Sequence, residues 1–294
     1  MKYAPVAAAA LALVAPFLAA CNGPLAGSDE AGGGPRVVAS FYPLQYVAER
    51  VTGDQAQVTN LTSPGREPHD LELTVMQTAE VTDADLVIYE KGLQPDVEEA
   101  VDQNRPDHVV EATDVVDLED AGASDLHFWL SPRLMVQLAE EVRDQMSDLD
   151  PEHQAAYDSG FRELRADLVQ LDTDYRKGLA NCEIDTVVVS HDAFGYLEQY
   201  GLHFESVVGL SPHAEPSPAH VAELEDLIKR EGITTVFSEP LATSAMSESI
   251  SADLGLDAAV LDPIEGLGSS TSDEDYLSLM RKNLAALQKA NRCR

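Results

Sequence analysis

Positive charge is what this chain has least of. Lysine and arginine number 19 against 52 aspartates and glutamates, for a net charge of −33. A surface of that sign repels phosphate backbones and excludes nucleic acid as a partner; its main effect is solubility, with a weak, screened pull on divalent cations. Long apolar runs are scarce as well: beyond the first 20 residues no stretch is apolar enough to cross a bilayer. There is no His-Glu-x-x-His motif and no obvious additional general base, which speaks against a zinc hydrolase. No repeat with a period of about 20–50 residues is visible, so nothing argues for a solenoid.

Cysteine is nearly absent too, at three residues. Lys2 precedes an apolar stretch, Ala7–Ala20, that is too short for a membrane span and has the layout of a secretory signal. It ends in Leu18-Ala19-Ala20-Cys21, which resembles the bacterial lipobox. That likeness implies removal of residues 1–20 and lipidation of Cys21. Residues 21–36, rich in glycine with Ser, Asp and Glu, cannot bury a core and read as a flexible tether. Export leaves Cys182 and Cys293 in an oxidising compartment, where a disulfide is the economical reading. Closing a loop of roughly 110 residues, it would contribute about 4–5 kcal/mol in the chain-entropy picture.

The remaining chain, roughly 270 residues, suffices for two domains. From Val37 onward short apolar runs alternate with amphipathic ones, the pattern of βα units on a mainly parallel sheet. Strands are expected at Val37–Phe41, Gln57–Leu61, Leu86–Tyr89 and His108–Glu111, and again at Thr186–Val189, Glu205–Val208, Thr235–Phe237 and Ala258–Leu261. Between the two sets lie helices over 132–149 and 151–179. The second spaces Tyr157, Phe161, Leu164, Leu168, Leu171, Tyr175 and Leu179 by three or four residues, one amphipathic face. A helix of about 28 residues is roughly 40 Å long, the length of a domain. The expected fold is α/β: two α/β lobes with mainly parallel sheets, 37–149 and 182–294, joined by one long rigid helix within 150–181.

The histidines supply the chemistry. The run Val187-Val188-Val189-Ser190 stops at His191, and ligands of open α/β sheets gather beyond the carboxyl ends of such strands. His69 follows another expected strand, in a loop fixed by Pro64, Gly65 and Pro68. His127 sits beside the only tryptophan, Trp129, just ahead of a helix begun by Pro132. A further strand ends in Leu261-Asp262-Pro263-Ile264-Glu265, a turn bearing carboxylates. Three imidazoles and a carboxylate split between lobes suit a borderline divalent metal. The other histidines read as structural or exposed: His108 beside a strand, His153 at a helix start, His203 on a connecting turn, His213 and His220 on the surface.

Five motifs in order, Glu67-Pro68-His69, His127-Phe128-Trp129-Leu130-Ser131-Pro132, Ser190-His191-Asp192-Ala193-Phe194-Gly195-Tyr196, Gly209–Pro218 and Leu261–Leu267, resemble the zinc-binding branch of the metal-specific (cluster A-I) solute-binding lipoproteins of ABC transporters. The resemblance implies an exported monomer, lipid-anchored on the outer face of the cell membrane, that is not an enzyme. It implies that one Zn2+ per chain is clamped between the lobes and handed to an ABC permease. It assigns His69, His127 and His191 as ligands, with Glu265 as the favoured carboxylate; Asp262, Glu239, Glu67 and water remain open for that fourth place. Imidazole suits zinc, whereas manganese prefers carboxylate oxygen, and the manganese branch tends to have glutamate where His191 stands. A manganese- or iron-binding member and an adhesin are the alternatives. Two departures stand out: the acidic stretch Asp114–Asp125 has no histidine, where zinc members often carry a His-rich loop, and Ser131-Pro132 replaces the usual Asp-Pro.

Overall fold

In the computed structural model, which describes Met1 and residues 34–117, 125–241 and 245–294, uninterrupted β-branched runs become the inner strands of two sheets. Cys21, the signal stretch, nearly all of the tether and most of the acidic stretch before Asp125 lie outside the described residues. The first sheet has the order β2-β1-β3-β4, from β1 (Arg36–Ala39), β2 (Gln57–Asn60), β3 (Leu86–Tyr89) and β4 (Val109–Glu111). The second repeats it as β6-β5-β7-β8, from β5 (Thr186–Val189), β6 (His203–Ser206), β7 (Thr235–Ser238) and β8 (Asp257–Val260). Every pairing is parallel. Inner strands β3 and β5 are buried throughout, as expected of strands covered on both faces.

Outer strands obey register rather than composition. The strand expected at Glu205–Val208 begins two residues earlier, because Thr186–Val189 pairs with His203–Ser206. At a sheet edge the polar His203 and Glu205 are tolerated. His203 is therefore the first residue of β6, not part of a turn, and its ring lies between Glu198 (2.8 Å) and Glu205 (3.1 Å).

Helices α1 (Tyr42–Thr52), α2 (Val75–Asp83), α3 (Pro95–Asn104) and the short α4 (Ala112–Val115) accompany the first sheet. After α5 (Pro132–Leu149), the helix expected to start at Pro151 does so only as a tight turn, Pro151–His153. Asp150 stops it there by accepting from His153 Nδ1 (2.7 Å) and the Tyr157 hydroxyl (2.8 Å). The helix proper, α6 (Gln154–Gly178), spans 25 residues, or roughly 37 Å. It buries Tyr157, Phe161, Leu164, Leu168, Leu171 and Tyr175, with Leu179 buried just past its end. That face packs on α1, α5 and, in the second half, α9 (Tyr276–Ala290), the last helix after α7 (Pro218–Glu231) and α8 (Ala245–Leu254). Gly160 lets α1 approach: a Cβ there would stand 2.4 Å from the Val51 carbonyl oxygen.

Gly33–Arg294 is one compact unit: one large apolar cluster, from Val37 to Leu287, serves both sheets, and each sheet has a smaller one of its own, around Val87 in the first and Val188 in the second. A Cys182–Cys293 disulfide joins the segment before β5 to the end of the chain. Asn291 reinforces the tie, accepting from the N–H groups of Glu183 and Ile184 and donating to the Ile184 carbonyl. Among the described residues no helix is long and apolar enough to cross a membrane.

Candidate metal centre

Both sheets aim their carboxyl ends at the same place. In the second, strand order reverses between β5 and β7, where a crevice forms in open α/β sheets. His191 follows β5 and Glu239 follows β7, so the two flank that crevice. The first sheet delivers its histidines from its outer strands. His69 lies in the turn Pro68–His69–Asp70 after β2, started by Glu67, whose Oε1 accepts the His69 N–H (3.3 Å). His127 precedes the turn Phe128–Leu130 that leads into α5. Glu265 comes five residues after the end of β8, beyond Ile264, which adopts a left-handed backbone (φ 60°).

Two locks hold the His127 loop, one to the Glu265 loop and one to α9. The buried Trp129 indole N–H donates to the Pro263 carbonyl (2.7 Å), and the Tyr276 hydroxyl donates to the Trp129 carbonyl (2.5 Å). Asn283 fixes the turn below them, exchanging both its amide groups with the Asp262 backbone (2.9 and 2.6 Å).

The result is a ring of four donors. Glu265 Oε1 stands 3.3 Å from His69 Nε2, 3.2 Å from His127 Nε2 and 3.3 Å from His191 Nε2, and the last two nitrogens are 3.4 Å apart. One donor atom from each of the four residues lies within 4.8 Å of all the others. Four ligands at about 2.0–2.1 Å from a tetrahedral zinc ion are separated by about 3.3–3.4 Å, close to the three Glu265 separations and the His127–His191 one. Ring centroids 5.2–6.2 Å apart place the three imidazoles around one point rather than in a stack.

Behind two of the rings stands a carboxylate. His127 Nδ1–H donates to Asp125 Oδ1 (2.8 Å), which also takes the His127 backbone N–H (3.0 Å). His191 Nδ1–H donates to Glu239 Oε2 (2.6 Å), while Glu239 Oε1 accepts from the His191 N–H (3.1 Å) and the Ser190 hydroxyl. Each carboxylate fixes the ring's orientation and leaves Nε2 for the shared point. Glu239 thus stands behind His191 rather than in the ring. Asp262 stays outside it too, its Oδ1 accepting from the Ile264 N–H (2.8 Å). Glu67 is not one of the four either, its Oε1 accepting from the His69 N–H.

The electrostatics follow from this packing. Burial works against a charged His191, but the hydrogen bonds to Glu239 and Glu265 outweigh it and push its pKa up to about 10. His127 is raised in the same way: burial opposes charge, and bonds to Asp125 and Glu265 prevail. Burial would raise Glu265, yet the hydrogen bonds from His127, His191 and His69 hold it well below the usual carboxylate range. Burial, and then the Glu265 charge, push Glu67 up to about 8.

The remaining histidines stand elsewhere. His108 and His153 contact Gln145 and Asp150, His220 reaches the Ser206 carbonyl (2.9 Å), and His213 meets Asp70 (3.0 Å). Asp125 is the residue that sequence reasoning passed over; its signal is the spacing Asp125-Leu126-His127, short enough for a side chain to reach the ring two residues on.

A family model described as ZnuA, zinc-uptake complex component A, periplasmic, matches residues 37–290. The chain belongs to this family. It is 31% identical over 297 residues to the high-affinity zinc uptake system protein ZnuA of Bacillus subtilis, covering 92% of this chain and 93% of that one. It is 32% identical over 298 residues to the zinc-binding lipoprotein AdcA of Streptococcus pneumoniae, covering 94% of this chain and 59% of AdcA. The chain thus spans little more than half of AdcA's length. The crystal structure of the Zn(II)-bound ZnuA-like domain of S. pneumoniae AdcA superposes with a TM-score of 0.77 at 33% identity, covering 88% of this chain and 99% of that domain.

Proposed function

We propose that this ZnuA-family chain captures one zinc ion between its two sheets and delivers it to an ABC permease for uptake, as an exported lipoprotein anchored through Cys21 and acting as a monomer. The observation that supports the reading best is the ring of His69, His127, His191 and Glu265, in which the carboxylate oxygen lies 3.2–3.3 Å from all three imidazole nitrogens, about the ligand separation of a tetrahedral zinc shell. His69, His127, His191 and Glu265 are the ligands in this reading. A fourth protein ligand closes the position that a hydrolytic zinc enzyme keeps open for water, which favours binding over catalysis. Three imidazoles favour zinc over manganese.

The test is metal content. Protein purified without added metal is expected to hold about one zinc per chain and to retain it against excess manganese, while His191→Ala loses most of the affinity with the fold intact. Manganese at native occupancy, or undiminished zinc affinity in the variant, overturns the reading.

A further inference from the structure

The ring is sealed on three sides. The His127, His191 and Glu265 side chains are 1%, 0% and 1% exposed, whereas His69 is 18% exposed. Exchange with solvent therefore runs past His69. At that opening Asp70, the next residue in the chain, places Oδ2 3.0 Å from Nε2 of His213. The two belong to opposite halves: Asp70 ends the turn that presents His69, and His213 lies on the connection between β6 and α7. That connection projects into solvent, with Gly209, Leu210, Ser211, Ala214 and Glu215 all exposed. A second tie runs alongside, where the Gly65 N–H donates to the Leu267 carbonyl (2.7 Å) and joins the His69 loop to the Glu265 loop.

Resting on the zinc-capture reading above, we propose that Asp70 and His213 form a latch across the mouth of the site, setting how fast the ion enters and leaves rather than where it binds. Neither side chain belongs to the ring, and neither touches the carboxylates that orient it. Opening the pair frees the two loops at the only exposed donor while the sealed donors keep their supports. An exposed imidazole–carboxylate pair is weak, so loss of the latch changes rates by about two- to fivefold.

The experiment uses the full zinc-loaded chain mixed rapidly with excess chelator, with release followed in time. His213→Asn is expected to release zinc about two- to fivefold faster than the parent. His213→Glu, which sets two carboxylates face to face, is expected to be faster still. The exchanged pair, Asp70→Lys with His213→Glu, restores an attraction and is expected to return to within about twofold of the parent. Equilibrium zinc affinity, measured on the same samples, should move less than the rates. Parent-like release from His213→Glu overturns the latch and leaves the capture reading standing, as does an exchanged pair that stays as fast as the single variant. A parent chain that takes up no zinc overturns both.

Discussion

At His191 both ring nitrogens are committed, one to the shared point and one to Glu239, and that second bond is what gives the ring a fixed direction. Glu239→Gln keeps the side chain's size and removes its charge. Zinc affinity is expected to fall about 10–100-fold, as for other outer partners of metal-bound histidines, with the unfolding midpoint nearly unchanged; a competition titration measures the first and thermal unfolding the second. The three histidines were legible in the sequence because each sits at the edge of a predicted element. Their supports were not, since a carboxylate behind a ring and one in a solvated loop look alike until the backbone is placed. Glu90 makes the same point: it follows β3, is 1% exposed, and neither of its oxygens has a hydrogen-bond partner. Burial, with the charges of Glu111 and Asp125, raises its pKa well above the ordinary carboxylate range.

Among the elements, the two bonds that tie the His127 loop to the Glu265 loop and to α9 matter most. Trp129→Phe removes the N–H that satisfies the buried Pro263 carbonyl. An orphaned buried acceptor costs about 1–3 kcal/mol, so the denaturant midpoint should drop. Zinc affinity should drop with it, because the loop bearing Glu265 loses its anchor; unchanged affinity in a destabilised variant would show the lock to be structural only. Inner strands such as Leu86–Tyr89 and Thr186–Val189 were readable to the residue, being runs of apolar or β-branched residues flanked by polar breaks. Outer strands were not. In β8, Asp257–Val260, three of four residues are exposed, and β6 is placed by its partner rather than its own composition.

For the whole molecule, the zinc-capture reading sets protons and the ion in competition for the same point. The raised pKa of His191 stabilises the ion-free fold fully below about 6.5, the ordinary histidine value, and that contribution is lost as pH climbs toward about 10. Ion-free protein is therefore expected to become less stable across this window while its zinc affinity rises, with protons released on loading. Thermal unfolding against pH, and proton release measured with an indicator dye, check both; proton-neutral loading near pH 7 would contradict the assignment. The disulfide belongs to this scale too, spanning 111 residues of sequence. Replacing Cys182 and Cys293 by serine is expected to cost about 2–5 kcal/mol in a denaturant titration.

The four donors are also far apart along the chain, at positions 69, 127, 191 and 265, and none has a second one within its own loop. An unfolded chain therefore offers a passing metal only scattered single contacts, and even the first half alone brings two imidazoles without the carboxylate. Order of events is built into the fold: the chain must finish folding before it can be loaded. In the zinc-capture reading, a chain that is still unfolded stays empty, and only the folded site chooses its metal.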